Sequence, residues 1–284
     1  MALALGVLVA LVSAALYAFG VTIQSMEARE TPAEESLKLS LLKDLVKRPR
    51  WLVGTACVIG GWATQATALL LAPLTIVQPA LATSIVVLLI IGMRMHDESI
   101  GPPEVLGALA IVVGVIGLAA VSPHHSDSHA GGATLAIGMS VLGLVALIPY
   151  AVCAGGRRFG GLVAVGAGIA YAWTGFSTKF VADGFSSGAF VVGGIWLAAT
   201  AGAALVGLLS EMTALQTRSA IRVFPIVLVV QIVVAVLLAP LLAGERWHPD
   251  PINVSLLILS LIAIGAGTRL LAGARAVNRV VATT

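Results

Sequence analysis

The sequence predicts an all-α polytopic membrane bundle: about nine transmembrane helices in two inverted four-helix repeats joined by a linking helix. Three observations predict it. Hydrophobic residues make up 59% of the 284 and charged residues only 10%, where a soluble domain averages about a quarter charged. A water-soluble fold of this size cannot bury so much apolar surface. Second, the stretch Gly61 to Val87 recurs as Gly207 to Val233 in a gap-free register that aligns Gly61 with Gly207, Thr67-Ala68-Leu69 with Thr213-Ala214-Leu215, and Pro79 with Pro225. Third, the basic residues gather on alternate connections between the apolar runs.

The apolar runs are continuous rather than alternating, which selects helices over a β-barrel. Helix 1 occupies the uncharged residues 1–26. It has no basic leader region, so it reads as a retained span rather than a signal peptide. Residues 27–50 form the one strongly polar segment. Within it, Thr31-Pro32-Ala33-Glu34 has the pattern of a capping box with proline at the first helical position. Leu37, Leu41 and Leu45 then recur every fourth residue among lysines, predicting an amphipathic helix over 31–48 at the membrane surface. A plain solvated connector is the competing reading.

Helix 2 is expected over about 51–71, helix 3 over 74–93 and helix 4 over 102–121. A loop with His124, His125, Asp127 and His129 follows, then the linking helix 5 over 133–153. Helix 6 is expected over 159–181, helix 8 over 221–243 and helix 9 over 253–271. Hydropathy alone would end helix 7 at Ser210, whereas the repeat carries it to Thr217. Each span is near the roughly 20 residues needed to cross a bilayer. The organisation is thus a first repeat at 1–122, a loop and linking helix at 123–158, and a second repeat with a basic tail at 159–284. Tyr17-Ala18-Phe19 is echoed by Tyr171-Ala172-Trp173, which aligns helix 1 with helix 6. Helix 6 follows helix 1 by an odd number of crossings, so the halves are inverted. One side of this topology holds 14 of the 16 Lys and Arg. The positive-inside rule then puts the N-terminus outside and the C-terminus in the cytoplasm, in a plasma membrane.

Candidate binding residues follow from polar or helix-breaking groups in apolar runs. Pro79 and Pro225 each remove a backbone donor and free a carbonyl, which lines a cavity in some transporters and only kinks a helix in others. Tyr17, Tyr171 and Trp173 are placed by the repeat to face one another across a centre. Gln65 and Gln231 carry amides that need partners in a dry interior. Glu211 aligns with Gln65 and lies six residues before Thr217, about 9 Å along the helix. A carboxyl at that depth marks a functional site by default, against an ion pair with Arg218 or Arg222 as the ordinary alternative. Cys57 and Cys153 have neither disulfide nor ligand spacing. The histidine loop is a weak metal or pH-sensing candidate set against a solvated loop. No nucleotide-binding, zinc-protease or serine-nucleophile motif occurs, so neither an enzyme nor a cofactor is expected.

The layout resembles the drug/metabolite transporter superfamily, with its EamA-like inverted halves, and within it the nine-helix NIPA-type magnesium transporters. The residues that carry the resemblance are Gly61, Ala72-Pro73 and Pro79, the charged turn Asp97-Glu98, Gly107 and Gly114, then Pro225 and Gly244-Glu245-Arg246-Trp247. The chain departs from the magnesium-transporter pattern at Trp62, where that pattern has an acidic residue. The resemblance implies a secondary transporter working by alternating access. Its partners would be a small-molecule or cation substrate, such as magnesium, and the lipid bilayer, with no nucleic acid. Such a protein is expected to hold a water-accessible cleft between the halves, lined by helices 1, 3, 6 and 8. The competing expectation is a non-transporting scaffold or accessory subunit, packed solid there.

Overall fold

The computed structural model describes residues 2–71, 77, 80–95, 101–121, 132–153, 160–242 and 250–273. The described residues form helices joined by turns, with no strand among them. They are α1 (Ala2–Arg29), α2 (Leu39–Val46), α3 (Pro49–Leu71), α4 (Ser84–Met95), α5 (Pro102–Val121), α6 (Gly132–Cys153), α7 (Gly160–Ser186), α8 (Phe190–Thr217), α9 (Ala220–Leu242) and α10 (Pro251–Gly273). Five helices, α1, α5, α6, α8 and α10, are long and apolar enough to cross a membrane; two shorter apolar stretches lie at Ala80–Gly92 and Ala220–Ala235. Large apolar side chains such as Leu144, Val191 and Ile252 point outward, the arrangement that suits a lipid surround.

Two boundaries bear on the site. α8 runs through Ser210 to Thr217, as the repeat requires and hydropathy does not. α7 continues to Ser186, past the expected end at Val181, and Gly188 turns the chain into α8 with φ +77°, a conformation that glycine adopts without penalty.

The helices pack in a pattern that occurs twice. α1 lies along α3 and also touches α4; α7 lies along α8 and also touches α9. α5 lies along α10, and α4 meets α9. A shared apolar core runs through these elements, with Ile85, Ile111, Leu118, Met212, Leu215 and Ile264 almost fully buried. Small residues set the closest approaches, as expected where lipid provides no hydrophobic drive for helix pairing. A methyl group on Gly20 would lie 2.7 Å from the Gly54 carbonyl oxygen, and one on Gly54 2.9 Å from that of Gly20. Gly107 and Gly267 make the same reciprocal approach between α5 and α10, at 2.9 and 2.5 Å. Gly107 and Gly114 are therefore seam residues.

The polar connector between α1 and α3 forms a strap over one end of the bundle. It consists of a short 3-10 turn at Ala33–Glu35 followed by α2. The expected capping box does not form. Pro32 takes the cap position without a side-chain bond: the Thr31 hydroxyl donates backward to the Ala28 carbonyl, and its oxygen accepts from Gln216 of α8 rather than from the backbone ahead of it. Nor does α2 offer its apolar face to lipid. Leu41 and Leu45 are 0% exposed, Leu42 is buried beside them, and all three belong to the shared core. The face is taken up by α3 and α8. Arg48 closes the strap by pairing with Glu27 at 3.2 Å and Glu30 at 2.7 Å. Leu37 sits at φ 59°, a left-handed conformation that costs a non-glycine residue about 1–2 kcal/mol.

The glycine seams predict a contrast within one helix. Gly267→Ala should lower unfolding stability in detergent by about 1–3 kcal/mol through overpacking. Gly265→Ala, where an added methyl meets nothing within 4 Å, should leave the melting temperature unchanged.

Candidate functional site

Two tyrosines project from corresponding places on α1 and α7. Tyr17 lies over Gly61 of α3, where an added methyl would come 3.3 Å from its ring. Its hydroxyl donates to Gln65 Oε1 at 3.0 Å. Tyr171 lies over Gly207 of α8, where an added methyl would come 2.7 Å from its ring. Its hydroxyl donates to Glu211 Oε2 at 2.8 Å. In both places a glycine lets a ring lie flat on the neighbouring helix, and the phenol reaches a side chain one turn further along. The partner is a neutral amide in one pair and a carboxyl in the other.

Glu211 is 7% exposed and lies six residues before the end of α8. It makes no ion pair among the described residues. Arg218 lies instead against the start of α7, with its Nε 2.9 Å from where a methyl on Gly160 would be. Arg222 is half-buried and its Nε finds no hydrogen-bond partner. The anticipated ion pair is thus replaced by a phenol hydrogen bond. A charged side chain without an ionic partner at the centre of a span costs about 2.5–3.5 kcal/mol. A carboxyl held by a single phenol in such surroundings is a group able to take up a proton or a small cation.

The other expected residues are dispersed. Trp173 turns away from the tyrosines because two residues of helix rotate a side chain by about 200°. Its Nε1 donates to the Met139 carbonyl of α6 at 3.0 Å, and its ring meets Trp196 at 6.2 Å. Gln231 is half-buried on α9 without a hydrogen bond among the described residues. Pro225 is buried inside α9, and the helix continues through it. Pro79 and the loop with His124, His125 and His129 lie outside the described residues. Among those described, no group of three or more His, Cys, Asp and Glu could hold a metal ion. Trp62, which stands where a carboxyl was expected, is 63% exposed and faces outward.

The described residues line a cavity of about 750 Å³, but of the four helices expected to line a cleft only helix 6, here α7, contributes to its walls. It opens between α6, α7 and α8, with Met139, Gly143, Trp173, Trp196, Ala203 and Val206 on its walls. Its lining is almost wholly apolar, suited to a hydrocarbon chain rather than a bare ion.

Several polar contacts within the bundle had not been anticipated. Ser210 donates to Tyr150 of α6 at 3.3 Å. Gln24, buried on α1, donates to Thr55 of α3 at 3.0 Å. Gln216, one turn past Glu211, donates to Thr31 Oγ1 at 2.9 Å and to the Pro32 carbonyl at 3.1 Å, and accepts from Ser36 at 2.9 Å. The usable signal was amide side chains in helical register: Gln24 and Gln216 are amides of the same kind as Gln65.

This fold and site define a chain whose described residues form helices without strands, compatible with an integral membrane protein. The chain is similar along nearly all its length to an uncharacterized protein of Corynebacterium glutamicum, with 24% identity covering 95% of this chain and 98% of that protein. No family model and no solved structure matches it.

The Tyr171–Glu211 bond predicts a coupling measurable by a double-mutant cycle. Tyr171→Phe should destabilise the protein by about 1–3 kcal/mol, because it leaves a buried acceptor without its donor. In a Glu211→Leu background the same change should cost markedly less in thermal unfolding.

Proposed function

We propose that this chain is an integral membrane secondary transporter of the drug/metabolite type, with nine crossings in two inverted halves and Glu211 as its proton- or cation-binding group. The observation that carries the reading is the twin arrangement of tyrosine, glycine and acyl side chain: Tyr17–Gly61–Gln65 on α1 and α3, Tyr171–Gly207–Glu211 on α7 and α8. Residues matched only by sequence register make matching contacts, which supports descent of both halves from one unit. The twofold pattern of helix contacts supports it further. In an inverted pair, a site held by both halves can be reached from either side by rocking one against the other.

The two pairs differ where chemistry would require it. Gln65 is neutral at every pH, whereas Glu211 exchanges a proton. One half would then supply structure and the other coupling. The cargo is a small solute or a divalent cation such as magnesium. A single carboxyl bonded to a phenol suits coupling to a proton or monovalent cation better than a full divalent coordination shell, which takes about six oxygen ligands. A second reading, a non-transporting scaffold, is favoured by the dense packing of α1, α4, α7 and α9 in the shared core and by the sideways position of the cavity.

Proteoliposome flux separates the two. Ion-sensitive and pH-sensitive dyes, with magnesium and a panel of small solutes, should reveal movement in the native protein. Glu211→Gln copies the other half, accepts the Tyr171 hydrogen bond, and should insert normally while losing at least about tenfold in flux or its dependence on pH. No movement of any solute by the native protein would favour the scaffold; unaltered flux and pH response in Glu211→Gln would remove Glu211 from the site.

Orientation is testable on the same material. A cysteine placed in the 124–130 loop should react with an impermeant thiol reagent added outside cells, and one at 155–158 should not. The reverse labelling would overturn the proposed topology.

A further inference from the structure

We propose that the strap over residues 30–48 is a movable gate that alternately covers and uncovers the Glu211 end of α8. As a gate for transport this rests on the Glu211 reading; as a moving segment it stands on its own contacts. The strap lies against the end of α8 that is nearer to Glu211. Its backbone crosses the last two turns of that helix, held by Thr213 and Gln216, two and five residues beyond Glu211. The Leu37 amide donates to Thr213 Oγ1 at 2.9 Å, and the Gln216 amide group is clasped between Thr31, Pro32 and Ser36. Below them Met212 is fully buried, and its sulfur accepts from Trp51 Nε1 at 3.3 Å.

Three features mark a closure built to release. The latch is polar and local, so a few side-chain bonds that water can replace hold it. Leu37 is kept left-handed at φ 59°, and lifting the strap would let it return to an ordinary conformation. Glu35 Oε2 is buried in the closed position without a hydrogen-bond partner, a deficit that opening would relieve. Against these, Leu41 and Leu45 pull the strap down as apolar anchors. The ends are tethered by Arg48 to Glu27 and Glu30, so the middle can lift while both feet stay attached. Segments that open in this way are drawn from the less stable parts of a fold.

Thiol reactivity tests it. Met212→Cys, in a chain carrying Cys57→Ala and Cys153→Ala, should react slowly with a hydrophilic maleimide in purified protein. Adding Thr213→Val and Gln216→Leu, which cut the latch, should speed the reaction at least tenfold, while Thr213→Ser, which keeps the hydroxyl, should leave it slow. A thiol that reacts as fast as an exposed control beneath the intact strap, or one that stays inert when the latch is cut, would overturn the proposal. Hydrogen exchange of the unaltered chain gives a second measurement. The amides of 39–46 should exchange through an opening that leaves α5 and α10 protected; protection equal to those helices would also overturn it. Neither readout uses Glu211. Failure here leaves the Glu211 site standing, and failure of the flux experiment leaves the strap standing.

Discussion

Two tyrosine rings lying on two glycines set the geometry on which the rest of the bundle depends. Without a side chain at Gly61 or Gly207, α3 and α8 approach α1 and α7 closely enough for each phenol to reach across. That approach fixes the rotation of both helix pairs, since a ring can lie on a glycine only if the glycine faces it. The same rotation carries Trp173 to the opposite face, toward α6. One steric fact therefore decides which polar groups meet and which are sent elsewhere.

A second constraint is the scarcity of water in the apolar interior. Buried polar groups need partners from the protein itself. Tyr17 and Gln65 serve each other, as do Gln24 and Thr55. Side-chain hydroxyls along the helices, such as Thr22, Ser25 and Thr268, fold back to their own backbone carbonyls. Glu211 stands out in this setting because its one described partner is a neutral phenol. The two frames match in residue type and hydrogen bond, but Glu211 is buried where Gln65 is half-buried.

At the end of α8 the constraint acts differently. There the strap trades water contacts for bonds to Thr213 and Gln216 and drives Leu41 and Leu45 into the core. The connector thus becomes part of the fold. Its outer face stays solvated, with Lys47 bonded to Asp44 at 2.8 Å. The hydrogen bond from Lys47 holds the Asp44 carboxyl below its usual range.

Much of the architecture was legible because it depends on length, hydropathy and register. Apolar run lengths located the long helices, and the alignment of Gly61 with Gly207 extended α8 to Thr217 where hydropathy would have stopped it. The alignment of Gln65 with Glu211 also singled out a carboxyl that proves to be buried without an ion pair among the described residues. The capping box at Thr31 did not form, and the amphipathic helix within 31–48 formed but turned its apolar face to the protein core, for one reason. Local pattern says which side chains can bond or which face is apolar, but not what another element brings to meet them. Only the tertiary structure decided that Tyr171, rather than Arg218 or Arg222, holds Glu211, that Trp173 looks toward α6, and that the strap seals against α8. Each depends on helix rotation and distance between residues far apart in the chain, and those are set by the packing of many side chains at once rather than by any stretch of sequence.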